Sequence, residues 1–111
     1  MTFEMNNSYY EIKEVSQEEL QEEITAETDG YYYGQTRFRK QQILIDKDLT
    51  YERKKKTLYH ELMHVYIREY ISTRDIELTE EMLCDVSANA HDMIHEIVEK
   101  YFMNRSIYRL I

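Results

Sequence analysis

The sequence predicts an α+β fold in which a small antiparallel sheet packs on one long helix, with a second long helix at the C-terminal end. Three observations predict it. β-prone segments fill the chain up to Asp46, apolar residues recur at helical spacing from about Thr50 to about Ile71, and that spacing resumes from Thr79 to about Met103. Tyr9 to Val15 alternates well enough to form a first strand. Ser16, followed three residues later by Glu19, is a capping-box pattern that opens a short helix over Gln17 to Ile24. Asp29-Gly30 signals a turn, and the aromatic-rich segment Tyr31 to Arg39 is β-prone. Gln41 to Asp46 reads as another strand, antiparallel to the preceding one with Arg39 and Lys40 in the turn. The first long helix follows, with Leu58, Tyr59, Leu62, Met63, Val65 and Tyr66 on one broad face. Ser72 to Asp75 breaks it. Thr79 is a good N-cap for the second, with Glu80 and Glu81 where the helix dipole favours negative charge. Leu83, Val86, Ala90, Ile94, Ile97 and Tyr101 give that helix its apolar stripe.

A chain of 111 residues without proline, repeats or low-complexity tracts is expected to be one domain. With 14 basic and 22 acidic residues its net charge is −8, which argues against a nucleic-acid partner, since phosphate binding relies on clustered Lys and Arg. The longest notable apolar run is Ile43-Leu44-Ile45, so no membrane span is expected. Met1 to Glu11 lacks the basic and apolar regions of a secretory signal. Cys84 is the only cysteine and has no partner for an internal disulfide, which suits a reducing, cytoplasmic location. We read it as a small buried apolar side chain.

The first long helix contains His60-Glu61-Leu62-Met63-His64, an H-E-x-x-H. Four residues of helix bring two imidazoles to within about 40° of each other and about 6 Å apart along the axis. Both can then reach one Zn²⁺ at about 2.0–2.1 Å. Glu61 is turned about 100° from His60, badly placed as a ligand but well placed to take a proton from water at the metal. A third ligand must come from elsewhere, because Ile67 and Tyr70 occupy the positions where an extended H-E-x-x-H-x-x-G-x-x-H motif needs Gly and His. Glu81, early in the next helix, is the candidate, with Glu80 as the fallback. Asp85, one turn after Glu81, can accept a hydrogen bond from the distal N–H of a ligand histidine. On a helical wheel Glu81 and Asp85 lie nearly opposite the apolar stripe, so facing a metal requires this helix start to be buried on two sides. His91 and His95 repeat the i, i+4 spacing with Asp92 between them, and they read as a helix flank.

Two further features invite a role in substrate handling. Gln41 to Asp46, or its partner Tyr31 to Arg37, could offer a sheet edge to a peptide. A tyrosine hydroxyl could stabilise an oxyanion beside the metal, although the sequence does not single one out among eleven. The run Arg53-Lys54-Lys55-Lys56 reads as a solvated face or as a docking patch for an acidic partner.

The stretch ILIDKDLTYERKKKTLYHELMHVY, followed by LTEEMLCDVSAN, resembles the small ImmA/IrrE-type zinc metallopeptidases of phages and bacterial mobile elements. That resemblance implies a zincin-like, gluzincin arrangement with zinc on His60, His64 and Glu81, general base Glu61, and Asp85 in the outer polar shell. It also implies selective cleavage of a regulatory protein such as a transcriptional repressor. The alternative from another class is a non-catalytic protein of the same fold that binds a host or phage regulator. Intact Glu61 argues against it, because a purely structural metal site needs no base.

Overall fold

A computed structural model describes residues 1–22, 33–71 and 79–109, with side chains described as far as 103. The chain forms β1 (Thr2–Met5), β2 (Ser8–Val15), α1 (Gln17–Gln21), β3 (Gly34–Arg37), β4 (Gln42–Asp46), α2 (Tyr51–Tyr66, continued by a π-helical turn, Ile67–Ile71) and α3 (Glu80–Arg109). The α+β reading holds, with a four-stranded sheet of order β1-β2-β4-β3. The sheet is mixed, not wholly antiparallel. β3 and β4 form the expected antiparallel pair, but β2 and β4 run parallel, Ile12 opposite Ile43. Parallel neighbours need a crossover, and here it contains α1 and β3.

β1 was not expected. It joins β2 through Asn6-Asn7, both with positive φ, 53° and 64°. Two successive left-handed residues give a hairpin turn that matches strand twist, and asparagine tolerates that conformation better than most side chains. The expected turn at Asp29-Gly30, the helix break at Ser72 to Asp75 and the end of the Gln17–Ile24 segment lie outside the described residues.

The main core lies on one face of the sheet. Phe3, Met5, Tyr10, Ile12, Ile43 and Ile45 pack there against Leu58, Leu62 and Val65 of α2 and against the α3 stripe that begins at Ala90. Burying each of the three α2 aliphatics is worth about 1.5–3 kcal/mol. On the opposite face Val15 and Leu44 receive Leu20 of α1, whose N-cap Ser16 accepts the Glu19 N–H as the capping box requires. Glu14 faces the helices and joins three elements, accepting from the Tyr101 hydroxyl and pairing with Lys54 at 2.7 Å. The α3 stripe is shorter than its sequence periodicity predicts. Leu83 is 47% exposed, and Cys84 is exposed rather than buried.

The far end of α2 is tied to the β1–β2 hairpin by Glu69. Its carboxylate accepts from Tyr10 at 2.6 Å and Ser8 at 3.2 Å, and its carbonyl from the Asn6 amide. Burial, then the hydrogen bond to Glu69, pushes the Tyr10 phenol up to about 12. The unfolded chain releases this proton near 10, so its contribution is complete below about pH 10 and is lost as pH rises toward 12. Urea melts across that range are expected to show alkaline destabilisation that is smaller in Tyr10→Phe.

Candidate active site

The loop from β4 to α2 fixes where the H-E-x-x-H helix begins. Asp46, fully buried, accepts from the Asp48 N–H at 2.9 Å and from the Gln17 amide at 2.8 Å. Thr50 then caps α2 by accepting the Arg53 N–H. With the helix start held and Leu58, Leu62 and Val65 in the core, His60 and His64 emerge on an exposed face and Glu61 turns toward β3.

The two imidazoles converge. Nε2 of His60 and Nε2 of His64 are 3.2 Å apart. Two nitrogens on a tetrahedral zinc, each about 2.05 Å from it, are separated by about 3.3 Å. The pair therefore fits the metal that its spacing predicts, and the donor type suits it. Glu61 is 7% exposed and accepts a 2.6 Å hydrogen bond at Oε2 from the Thr36 hydroxyl on β3. Its Oε1 has no hydrogen bond among the described residues, and no buried side-chain oxygen or nitrogen there lacks a partner, so Oε1 keeps access to water. His60 and Glu61 line one cleft of about 350 Å³ between α2 and β3, with Tyr33, Gly34, Arg53 and Lys56 around it.

Gly34 permits this close approach of strand and helix. A Cβ at that position would lie 2.6 Å from the Thr57 methyl, 3.0 Å from the Leu44 carbonyl and 3.5 Å from Glu61 Cγ. Gly34→Ala is accordingly expected to destabilise the fold by about 1–3 kcal/mol in urea unfolding, because strand and helix must part beside the carboxylate.

Glu81 and Asp85 are both exposed, near the start of α3. Among the described residues no group of three His, Cys, Asp or Glu side chains could hold a metal ion, so the structure does not bring Glu81 to the histidine pair. Helix register explains why. Tyr51 meets Phe102 edge to face, Lys55 pairs with Glu99, and Tyr59 bonds His95 at 2.6 Å. By this antiparallel ladder Ala90 is level with His64, and Glu81 lies nine residues, ~13 Å, further along. His91 is closer to the level of the pair and shares a smaller pocket with His60. The rings of His91 and His95 stack, with centroids 5.8 Å apart.

Sequence reasoning missed Thr36 and Gly34, which act across the sheet–helix junction and have no local signature. Of the tyrosines that could reach the site, Tyr31 and Tyr32 lie outside the described residues, while Tyr33 is on the cleft.

Residues 14–103 match the IrrE N-terminal-like domain, a peptidase family. The chain belongs to that family. The match spans the cleft, the histidine pair and the E-x-x-x-D segment, and the family points to metallopeptidase activity on protein or peptide substrates. No curated protein and no solved structure matches the chain. No described helix is long and apolar enough to cross a membrane.

Proposed function

We propose that this chain is a single-domain, zinc-dependent metallopeptidase that hydrolyses peptide bonds in a regulatory protein, such as a transcriptional repressor. The observation that carries the reading is the 3.2 Å convergence of His60 and His64, with His60 and a buried, hydrogen-bonded Glu61 lining one cleft. His60 and His64 hold the metal. Glu81 is the proposed third ligand, and Asp85 accepts the distal N–H of a ligand imidazole and fixes its tautomer. When bound, zinc brings the pKa of water toward about 7 and polarises the carbonyl under attack.

Glu61 does the proton work. Thr36 occupies Oε2 and fixes the rotamer, so Oε1 is the atom that takes the proton from attacking water and later delivers it to the leaving amine. The substrate backbone adds to the sheet at β3. Because β4 lies between β2 and β3, its ladder is filled on both sides, whereas β3 is the edge among the described strands and lies beside the helix that carries the histidines. The proposed setting is cytoplasmic, and nucleic acid is not the partner.

The test is incubation of the zinc-loaded protein with bacterial lysate or a repressor encoded beside it, with and without a chelator, followed by mapping of new N-termini. Discrete chelator-sensitive cuts are expected. Their absence from every substrate tried with metal-loaded protein overturns the reading.

A further inference from the structure

The basic run at the start of α2 divides into two kinds of residue. Lys54 is spent on Glu14 at 2.7 Å and Lys55 on Glu99 at 3.3 Å. Arg53 and Lys56 form no ion pair among the described residues. Both line the cleft that holds His60 and Glu61. Positions 53, 56, 60 and 64 follow helical spacing, so the unpaired cations extend the histidine face toward the helix N-terminus. There the dipole disfavours them, and they add to a site of positive potential in a chain of net charge −8. Arg53 lies over the Tyr33 ring, 5.0 Å from its centroid, which holds the guanidinium at the mouth of the cleft.

Resting on the proposed peptidase reading, the geometry points to a specificity subsite in which Arg53 and Lys56 bind an acidic side chain of the substrate. Along the helix Lys56 is ~6 Å and Arg53 ~10 Å from His60. An extended peptide advances about 3.3 Å per residue, so the acidic residue sits two to three positions from the cleaved bond, on the side toward the start of α2. Glu61, with its hydrogen-bonded carboxylate, marks the opposite, reacting end of the same cleft. Guanidinium and ammonium donors close to a carboxylate make charge-assisted hydrogen bonds, and binding of this kind weakens as salt is added.

Fluorescein-labelled decapeptides test this, with a central apolar pair and Asp, Ser or Lys two or three residues to either side. Binding is read by anisotropy on the zinc-loaded Glu61→Gln protein, and cleavage on the unmodified protein. Asp peptides are expected to bind roughly tenfold more tightly than Ser peptides at low ionic strength, and Lys peptides more weakly than either. The preference should vanish in R53Q/K56Q. It should survive in K13Q/K100Q, which removes the same charge elsewhere; circular dichroism checks that both fold. Equal binding of Asp and Ser peptides, or a preference that persists in R53Q/K56Q, overturns the inference. Chelator-sensitive cleavage without acidic preference also overturns it and leaves the peptidase reading standing. Acidic preference in binding without cleavage of any peptide supports the subsite and counts against the peptidase.

Discussion

Glu61→Gln is expected to keep its zinc and to lose about 10²–10⁴-fold in the rate of peptide hydrolysis. Glutamine has nearly the shape of glutamate and can still accept the Thr36 hydroxyl hydrogen bond at its carbonyl oxygen, so the 2.6 Å contact with β3 and the packing around it are preserved. What disappears is the basic oxygen. The amide nitrogen that replaces Oε1 carries protons of its own and cannot accept one from water. Metal analysis beside single-turnover kinetics separates the two roles. Zinc bound in unmodified stoichiometry with hydrolysis abolished assigns Glu61 to proton transfer. Joint loss of zinc and activity would make it a ligand, and the division of labour within H-E-x-x-H would be wrong. A Thr36→Val control frees Oε2 without removing the base and should give a much smaller loss.

The parts of this arrangement that could be read from the sequence are those fixed by residues near one another in the chain. The Ser16 and Thr79 caps, the i, i+4 histidines and the β3–β4 pair all depend on contacts a few residues apart, and the structure has each of them. Parallel pairing of β2 with β4 joins Ile12 to Ile43 across a crossover, and alternation of side chains says nothing about strand direction. The β1–β2 hairpin turns on Asn6-Asn7, both with positive φ, a local signal that the sequence-based expectation does not use. Leu83 and Cys84 show the opposite failure. Helical periodicity continues through them, but periodicity reports which residues share a face, not whether another element covers it. The same limit applies to Glu81. A carboxylate at the right distance along the chain is a legible ligand type, whereas its level relative to His64 is set by where α3 docks on α2, through Tyr51, Lys55 and Tyr59.

That register makes the metal a conformational question as well as a chemical one. Removing His60 or His64 is expected to abolish zinc binding, because a single imidazole with water ligands loses the chelate that the 3.2 Å pair provides. Elemental analysis and the loss of a zinc-induced rise in melting temperature would register it. If Glu81 completes the site, zinc must also draw the start of α3 toward α2, and exposed Cys84, three residues from Glu81, becomes the reporter. Its reaction with a thiol reagent should slow severalfold on zinc addition in the unmodified protein, while remaining unchanged in His60→Ala and in Glu81→Ala. Glu81→Ala should retain weakened zinc binding through the histidines, and Asp85→Asn should weaken it about 10–100-fold by loosening the orientation of a ligand ring. A Cys84 rate indifferent to zinc, with Glu81→Ala binding zinc as tightly as the unmodified chain, would remove Glu81 from the site. His91, which already shares a pocket with His60, would then be the next side chain to replace.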